Sequence, residues 1–278
     1  MVLKGLLAAF DFPVAVIATG LLVDVGPACP AFRTIAQVGD GHAVFPLASL
    51  TKPIVAWSAL IAVDRHLLDL DAPAAPELPG ATIRDLLAHA SGIAFDSDAV
   101  LAPPRRRRIY SNRGFELLGR RLEEATATPL EEWVEEAVLE PLGMASVRIP
   151  GSPAHSGTGS AADLAAFARE LAAPTLVSPA LAEAARRPVH PGLPGVLPGY
   201  GRQAANDFGL GLEVRGAKQP HWTAPTNSPE TFGHFGQSGS FLWVDPVARR
   251  QAVFLGARPF GAVHRENWPA LGAQILAL

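Results

Sequence analysis

The chain has 278 residues, 49% of them hydrophobic and 18% charged, with a formal net charge of −3. That composition supplies a packed core and excludes a disordered chain. The weak charge gives no reason to expect nucleic acid or a membrane surface as the main partner. The single cysteine, Cys29, excludes an intrachain disulfide.

Residues Met1 to Val23 are largely apolar, but Asp11 and Pro13 interrupt the run. Neither a membrane span nor a secretory signal is therefore expected, and the expected location is cytoplasmic. The same stretch reads as a short helix, Val2 to Phe10, followed by a strand, Val14 to Thr19. Cys29 lies in the proline-rich stretch Gly26-Pro27-Ala28-Cys29-Pro30 and reads as a buried or loop thiol. A second strand is expected over Thr34 to Val38, with Gly39-Asp40-Gly41 as a turn. An apolar helix is expected from Ser49 to His66, with Pro53 tolerated in its first turn. Proline-rich loops around Ala72 to Pro79 lead to helical patterns at Ile83 to His89, Asn112 to Ala125, Pro129 to Leu139 and Ala161 to Leu171. After loop-like residues Pro188 to Gly201, strands return at Phe208 to Val214, Gly239 to Val244 and Gln251 to Ala257. A helix from Trp268 to Leu278 ends the chain.

Strands at both ends with helices between them predict an α/β fold of the α+β type. Its antiparallel sheet is built from both chain ends and flanked by helices, with a helical lobe inserted. The expected division is an α/β lobe of residues 1–64 and 203–278 and a helical lobe of residues 65–202, all in one domain. The cleft between lobes is the natural place for a site.

Three segments carry chemistry. In Ser49-Leu50-Thr51-Lys52 the serine and lysine share one helix face. A serine hydroxyl needs a base beside it, and lysine can be that base if burial lowers its pKa, whereas arginine cannot. Only three lysines occur among 23 basic residues, so a lysine here stands out. The plainer reading is an N-cap serine with an exposed lysine. In Tyr110-Ser111-Asn112, one of only two tyrosines precedes a predicted helix. A phenol near an ammonium can shuttle protons, and Asn112 has a donor and an acceptor for an acyl carbonyl or amide. The plainer reading is a packed tyrosine and a capping asparagine. In Gly233-His234-Phe235-Gly236-Gln237, glycines such as Gly236 let backbone approach a ligand closely, and a backbone N–H could stabilise an oxyanion. The plainer reading is a glycine-rich turn entering a hairpin.

Together, Ser-x-x-Lys, Tyr-x-Asn and His-x-Gly in this order resemble the serine β-lactamase and penicillin-binding family. The nearest group resembles class C β-lactamases, D-alanyl-D-alanine carboxypeptidases and the esterases that share their fold. Other segments extend the resemblance: Phe45 to Lys52, Leu86-Leu87-Ala88-His89-Ala90-Ser91-Gly92, Pro141-Leu142-Gly143-Met144 and Phe208-Gly209-Leu210-Gly211. It implies that Ser49 attacks the acyl carbon while Lys52 takes or relays its proton. Tyr110 would pass a proton to the leaving group and later help activate water. Asn112 would orient the acyl side chain, and the N–H groups of Ser49 and Gln237 would form the oxyanion hole. His234 stands where many relatives have lysine. The implied partner is a small-molecule acyl substrate, and no metal or cofactor is expected.

One departure bears on substrate. Relatives that bind β-lactams usually have threonine or serine where this chain has Phe235. Losing a hydrogen bond to a substrate carboxylate costs on the order of 1.5–3 kcal/mol. An ester hydrolase is therefore the first expectation, ahead of a β-lactamase, D-peptidase or D-amino-acid amidase. A non-hydrolytic acyl-binding or sensor protein comes third. The basic run Arg105 to Arg108 before Tyr110 reads as a solvated loop, or as an attractor for an anionic substrate.

Overall fold

A computed structural model describes residues 2–21 and 31–278. Cys29 lies outside these. The chain begins with α1 (Val2–Leu7), β1 (Val14–Leu21), β2 (Phe32–Val38) and β3 (Val44–Pro46), and a 3₁₀ turn, Ala48–Leu50, leads into α2 (Thr51–Asp64). The middle holds α3 (Ile83–Leu87), α4 (Asn112–Thr126), α5 (Leu130–Val134), α6 (Glu140–Leu142), β4 (Thr158–Ser160), α7 (Ala161–Ala172) and α8 (Pro179–Arg186). The last part holds β5 (Gly195–Leu197), β6 (Gly201–Gln203), β7 (Glu213–Val214), β8 (Phe232–Gly236), β9 (Ser240–Asp245), β10 (Arg250–Gly256) and α9 (Ala262–Leu276).

Six strands make one sheet in the order β2-β1-β10-β9-β8-β7, all pairs antiparallel. The N-terminal strand β1 pairs along its length with β10, from Val14 opposite Gly256 to Gly20 opposite Arg250. Side chains alternate between faces along a strand, and both faces are covered. Ile17, Leu242, Val244, Val253 and Leu255 pack with α2 and α7, whereas Val16, Phe241, Trp243, Ala252 and Phe254 pack with α1 and α9. This two-sided burial explains why β1, β9 and β10 are almost continuously apolar. Every residue of α2 from Thr51 to Ala62 is buried, as expected of a helix apolar on all sides.

The structure corrects several predicted elements. Ser49 lies on the 3₁₀ turn rather than in the helix, which starts at Thr51. Of the strand expected over Phe208 to Val214, only Glu213–Val214 pairs as one. Glycines make the rest irregular: a Cβ on Gly209 would lie 1.9 Å from the Ala185 carbonyl oxygen, and one on Gly211 2.1 Å from the Ala56 Cβ. The last helix starts earlier than predicted, at Ala262, and carries Pro269 inside it. The sequence reading missed α8 and the strand β8, whose two glycines in five residues lower strand propensity. It also treated as loop the residues that form β5.

Candidate active site

The site lies where the 3₁₀ turn, the loop before α4, the strand β8 and the segment before β4 converge. Ala48 holds φ at +46°, an uncommon value for a side-chain-bearing residue, and presents Ser49 at the start of α2. The segment before β4 is laced to this turn: Leu47 N–H donates to the Gly157 carbonyl at 2.8 Å, and Gly157 N–H donates to Thr51 Oγ1 at 2.9 Å.

Lys52 sits in the first turn of the buried helix and is itself fully buried. Its Nζ lies 3.2 Å from Ser49 Oγ, 2.6 Å from Asn112 Oδ1 and 2.9 Å from the Ala154 carbonyl oxygen. Burial lowers its pKa from 10.5 to about 7, with Asp96 and Glu116 pulling in the opposite direction. Two of the three partners are carbonyl-type oxygens that can only accept. A neutral amine donates to both of these and keeps its lone pair for the Ser49 hydroxyl.

Burial raises the Tyr110 pKa above the ordinary phenol value, and the neighbouring Ser49 hydroxyl opposes that shift. The phenol is therefore protonated at neutral pH. Lys52 Nζ also lies over the Tyr110 ring, 4.8 Å from its centroid. His89 backs this ring at 4.5 Å between centroids, and its Nδ1 accepts from Ser111 N–H at 3.2 Å. That bond holds the loop before α4 in place. Ser111 caps α4 by accepting from Gly114 N–H at 2.9 Å. The cap is thus Ser111, and Asn112 is the first helical residue. Its amide bridges the site, with Oδ1 toward Lys52 and Nδ2 donating to Asp96 at 2.9 Å.

The strand β8 supplies the opposite wall. Gly236 closely approaches the 3₁₀ turn: a Cβ there would lie 2.5 Å from the Leu47 carbonyl oxygen and 3.3 Å from Ser49 N. Gln237 follows at the exposed tip of the three-residue turn to β9, which closes on Gly239 with φ at +78°. His234 is buried with its ring 5.8 Å from that of Tyr110. Its Nδ1 donates to the Phe235 carbonyl at 2.7 Å, so Nε2 is a bare acceptor, without a partner among the described residues. Burial first, then the nearby Lys52, lowers its pKa to about 4, which leaves it neutral.

The structure thus brings Ser49, Lys52, Tyr110, Asn112, His234 and Gly236 together, with Gln237 adjoining. It also corrects the reading of Phe235. The pleat turns this side chain to the opposite face of the sheet, among Tyr200, Trp222, Phe260 and Trp268. The phenylalanine neither grips nor blocks anything in the cleft. The basic run divides likewise. Arg105 pairs with buried Asp85 at 2.8 Å. Arg108 is buried, donating to the carbonyl oxygens of Ala88, Val189, His190 and Asn206. Arg107 and Arg108 both line a pocket beside Tyr110. The sequence reading missed Ala154, Asp96 and the Glu116–Ser152 hydrogen bond that steadies the Ala154 segment. These partners come from distant loops and leave no local pattern.

Residues 36–277 match the family model described as Beta-lactamase, so the chain belongs to the Beta-lactamase family of serine hydrolases. Its fold is that of β-lactamases and transpeptidases. A solved structure described as a beta-lactamase from Mycobacterium bovis is 45% identical with a TM-score of 0.90, covering 99% of this chain and 98% of that one. The hydrolase EstCE1, described as having promiscuous acyltransferase activity, shares the fold at 17% identity and a TM-score of 0.79, covering 99% and 97% of the two chains. A Salmonella gallinarum protein assigned as a D-alanyl-D-alanine carboxypeptidase is 29% identical over 207 residues, 58% of this chain and 47% of that protein. The chain therefore spans about half the length of the curated relative it matches. Among the described residues no helix is long and apolar enough to cross a membrane.

Proposed function

We propose that the protein is a carboxylic ester hydrolase that forms an acyl-enzyme on Ser49. The observation that carries this reading is the coordination of Lys52. Its pKa of about 7 leaves a large share of neutral amine at neutral pH, with the lone pair toward the serine. Lys52 takes the Ser49 proton as Oγ bonds the acyl carbon. The neutral Tyr110 hydroxyl gives its proton to the leaving alkoxide as the old C–O bond breaks, and Lys52 restores that proton. The backbone N–H groups of Ser49 and Gln237 bind the oxyanion, and Gly236 permits their approach. The second N–H of Asn112 Nδ2 meets the acyl group. Water then attacks the acyl-enzyme with Tyr110 assisting.

What favours esters is the absence of a carboxylate grip at β8. His234 is neutral and Phe235 faces the core, so these two side chains offer a substrate carboxylate neither charge nor hydroxyl. A β-lactamase is the second reading, supported by the 45% identity to the Mycobacterium bovis protein. The test follows p-nitrophenol release from p-nitrophenyl butyrate by wild type and Ser49→Ala, with a chromogenic cephalosporin in parallel. Turnover of the ester that Ser49→Ala loses, with an added acyl mass on the wild type, upholds the proposal. Equal turnover by both proteins, or turnover of the cephalosporin alone, overturns it.

A further inference from the structure

We infer that the groove running from Tyr110 toward the β5–β6 hairpin binds an apolar acyl chain that ends in an anion, which would make the substrate an ester of a dicarboxylic acid; this rests on the Ser49 hydrolase reading. The pocket has a volume of about 500 Å³, within the range of small-molecule sites. One wall is aromatic: Phe95 stacks on Tyr110 at 6.1 Å between centroids and 26° between planes. It therefore leads to the phenol that neighbours Ser49 and lies against Lys52. Leu101 completes this wall, and Val196 of β5 faces it.

Phe95, Leu101 and Val196 are 49%, 52% and 54% exposed, three of the eight most exposed large apolar side chains among the described residues. Their convergence on one groove beside a nucleophile calls for an apolar ligand. The charge there has a single sign. Arg107 and Arg202 line the groove, and no acidic residue does. The acids on the adjoining loop are engaged elsewhere, Asp96 with Asn112 at 2.9 Å and Asp98 with Arg113 at 2.5 Å. Arg107 donates only to the Leu101 carbonyl, and Arg202 makes no ion pair among the described residues. Arg108 also lines the groove, but each of its three guanidinium nitrogens already donates to a backbone carbonyl. An acyl chain with its ester at Ser49 and its tail along this groove would carry its terminal carboxylate into a lining that includes Arg107 and Arg202.

The test compares p-nitrophenyl acetate, p-nitrophenyl hexanoate and the mono-p-nitrophenyl ester of adipic acid, which has the same chain length with a carboxylate at its end. Each methylene buried in the groove raises kcat/KM by up to roughly fourfold. Hexanoate is therefore expected to exceed acetate by about tenfold or more, and the adipate ester to exceed hexanoate by a further several-fold. That last excess should disappear in Arg107→Gln/Arg202→Gln and shrink in high salt. Val196→Asp should abolish the hexanoate advantage. No gain from acetate to hexanoate overturns the apolar groove, and an adipate ester no better than hexanoate overturns the anionic end. If no ester is turned over, the hydrolase reading fails, and calorimetric titration with suberate and octanoate decides the groove. Suberate binding tighter than octanoate, and lost in Val196→Asp, upholds it; equal or absent binding overturns it.

Discussion

Lys52 and Lys218 are both buried, and their surroundings differ in one respect. Lys52 is surrounded by a hydroxyl, an amide oxygen and a backbone carbonyl, none of them charged. Lys218 donates to the carbonyl oxygens of Asp207 and Val214 and also faces the Glu213 carboxylate at 3.3 Å. Burial lowers the pKa of both, but at Lys218 the Glu213 charge and hydrogen bond oppose it. Glu213 itself has a pKa of about 2, because Lys218 and His221 outweigh the effect of its burial. Its carboxylate also accepts from Trp222 Nε1 at 2.9 Å and contacts His221 Nε2 at 2.8 Å. A buried lysine with no carboxylate in contact is poised to lose its proton. One with a paired carboxylate has that loss opposed, and the ion pair ties the edge strand β7 to its loop.

The contrast breaks first at Lys52. Lys52→Arg retains a positive charge but cannot accept a proton. It should lower kcat for an activated ester by about 10²–10⁴-fold, measured by p-nitrophenol release, while the melting transition remains cooperative. At Lys218 the opposite outcome is expected. Lys218→Met leaves the buried Glu213 with only His221 and Trp222 as partners and should cost on the order of 3–5 kcal/mol of unfolding free energy by urea denaturation, with ester turnover retained by the folded fraction. Adding Glu213→Gln to Lys218→Met removes the orphan charge. That double variant should recover part of the lost stability, and a sum of the two single effects would deny the coupling.

The pH profile sharpens the comparison. The active form of Lys52 is the neutral amine, so kcat/KM should rise with pH through about 7 and level off above it. The raised phenol pKa of Tyr110 and the value of about 4 for His234 put no second limb between pH 5 and 9. The smallest expected effect is at Asp96, an exposed carboxylate that raises the Lys52 pKa. Asp96→Asn should move the limb to lower pH, by less than a full unit because solvent screens the charge. Loss of rate with no movement of the limb would reduce Asp96 to a support for the Asn112 amide.

Much of this site was readable in the sequence because its parts recur at short spacing. Ser49 and Lys52 are one helical turn apart, and Tyr110 and Asn112 flank a helix start. The strand β8 was not recognised, since Gly233 and Gly236 mask its pattern, although its residues were singled out. Phe235 was assigned to the cleft because residue order alone does not say which face a side chain takes. The pleat decides that, and here it directs His234 and Gly236 to Ser49 and Phe235 to the aromatic core against α9. The expected strand from Phe208 to Val214 failed for a related reason. Its glycines serve contacts with Ala185 and Ala56 from other elements, not pairing.

By itself the sequence determined the family, the antiparallel sheet joining both chain ends, and the residue types that carry the chemistry. These follow from local periodicity and from motifs within single segments. The tertiary structure alone decided the protonation of Lys52, the neutrality of His234, the separate placements of Arg105, Arg107 and Arg108, and the groove beside Tyr110. Each depends on how far a group is removed from water and on which distant atoms surround it. Desolvation and electrostatics act through space, and no pattern along the chain records them.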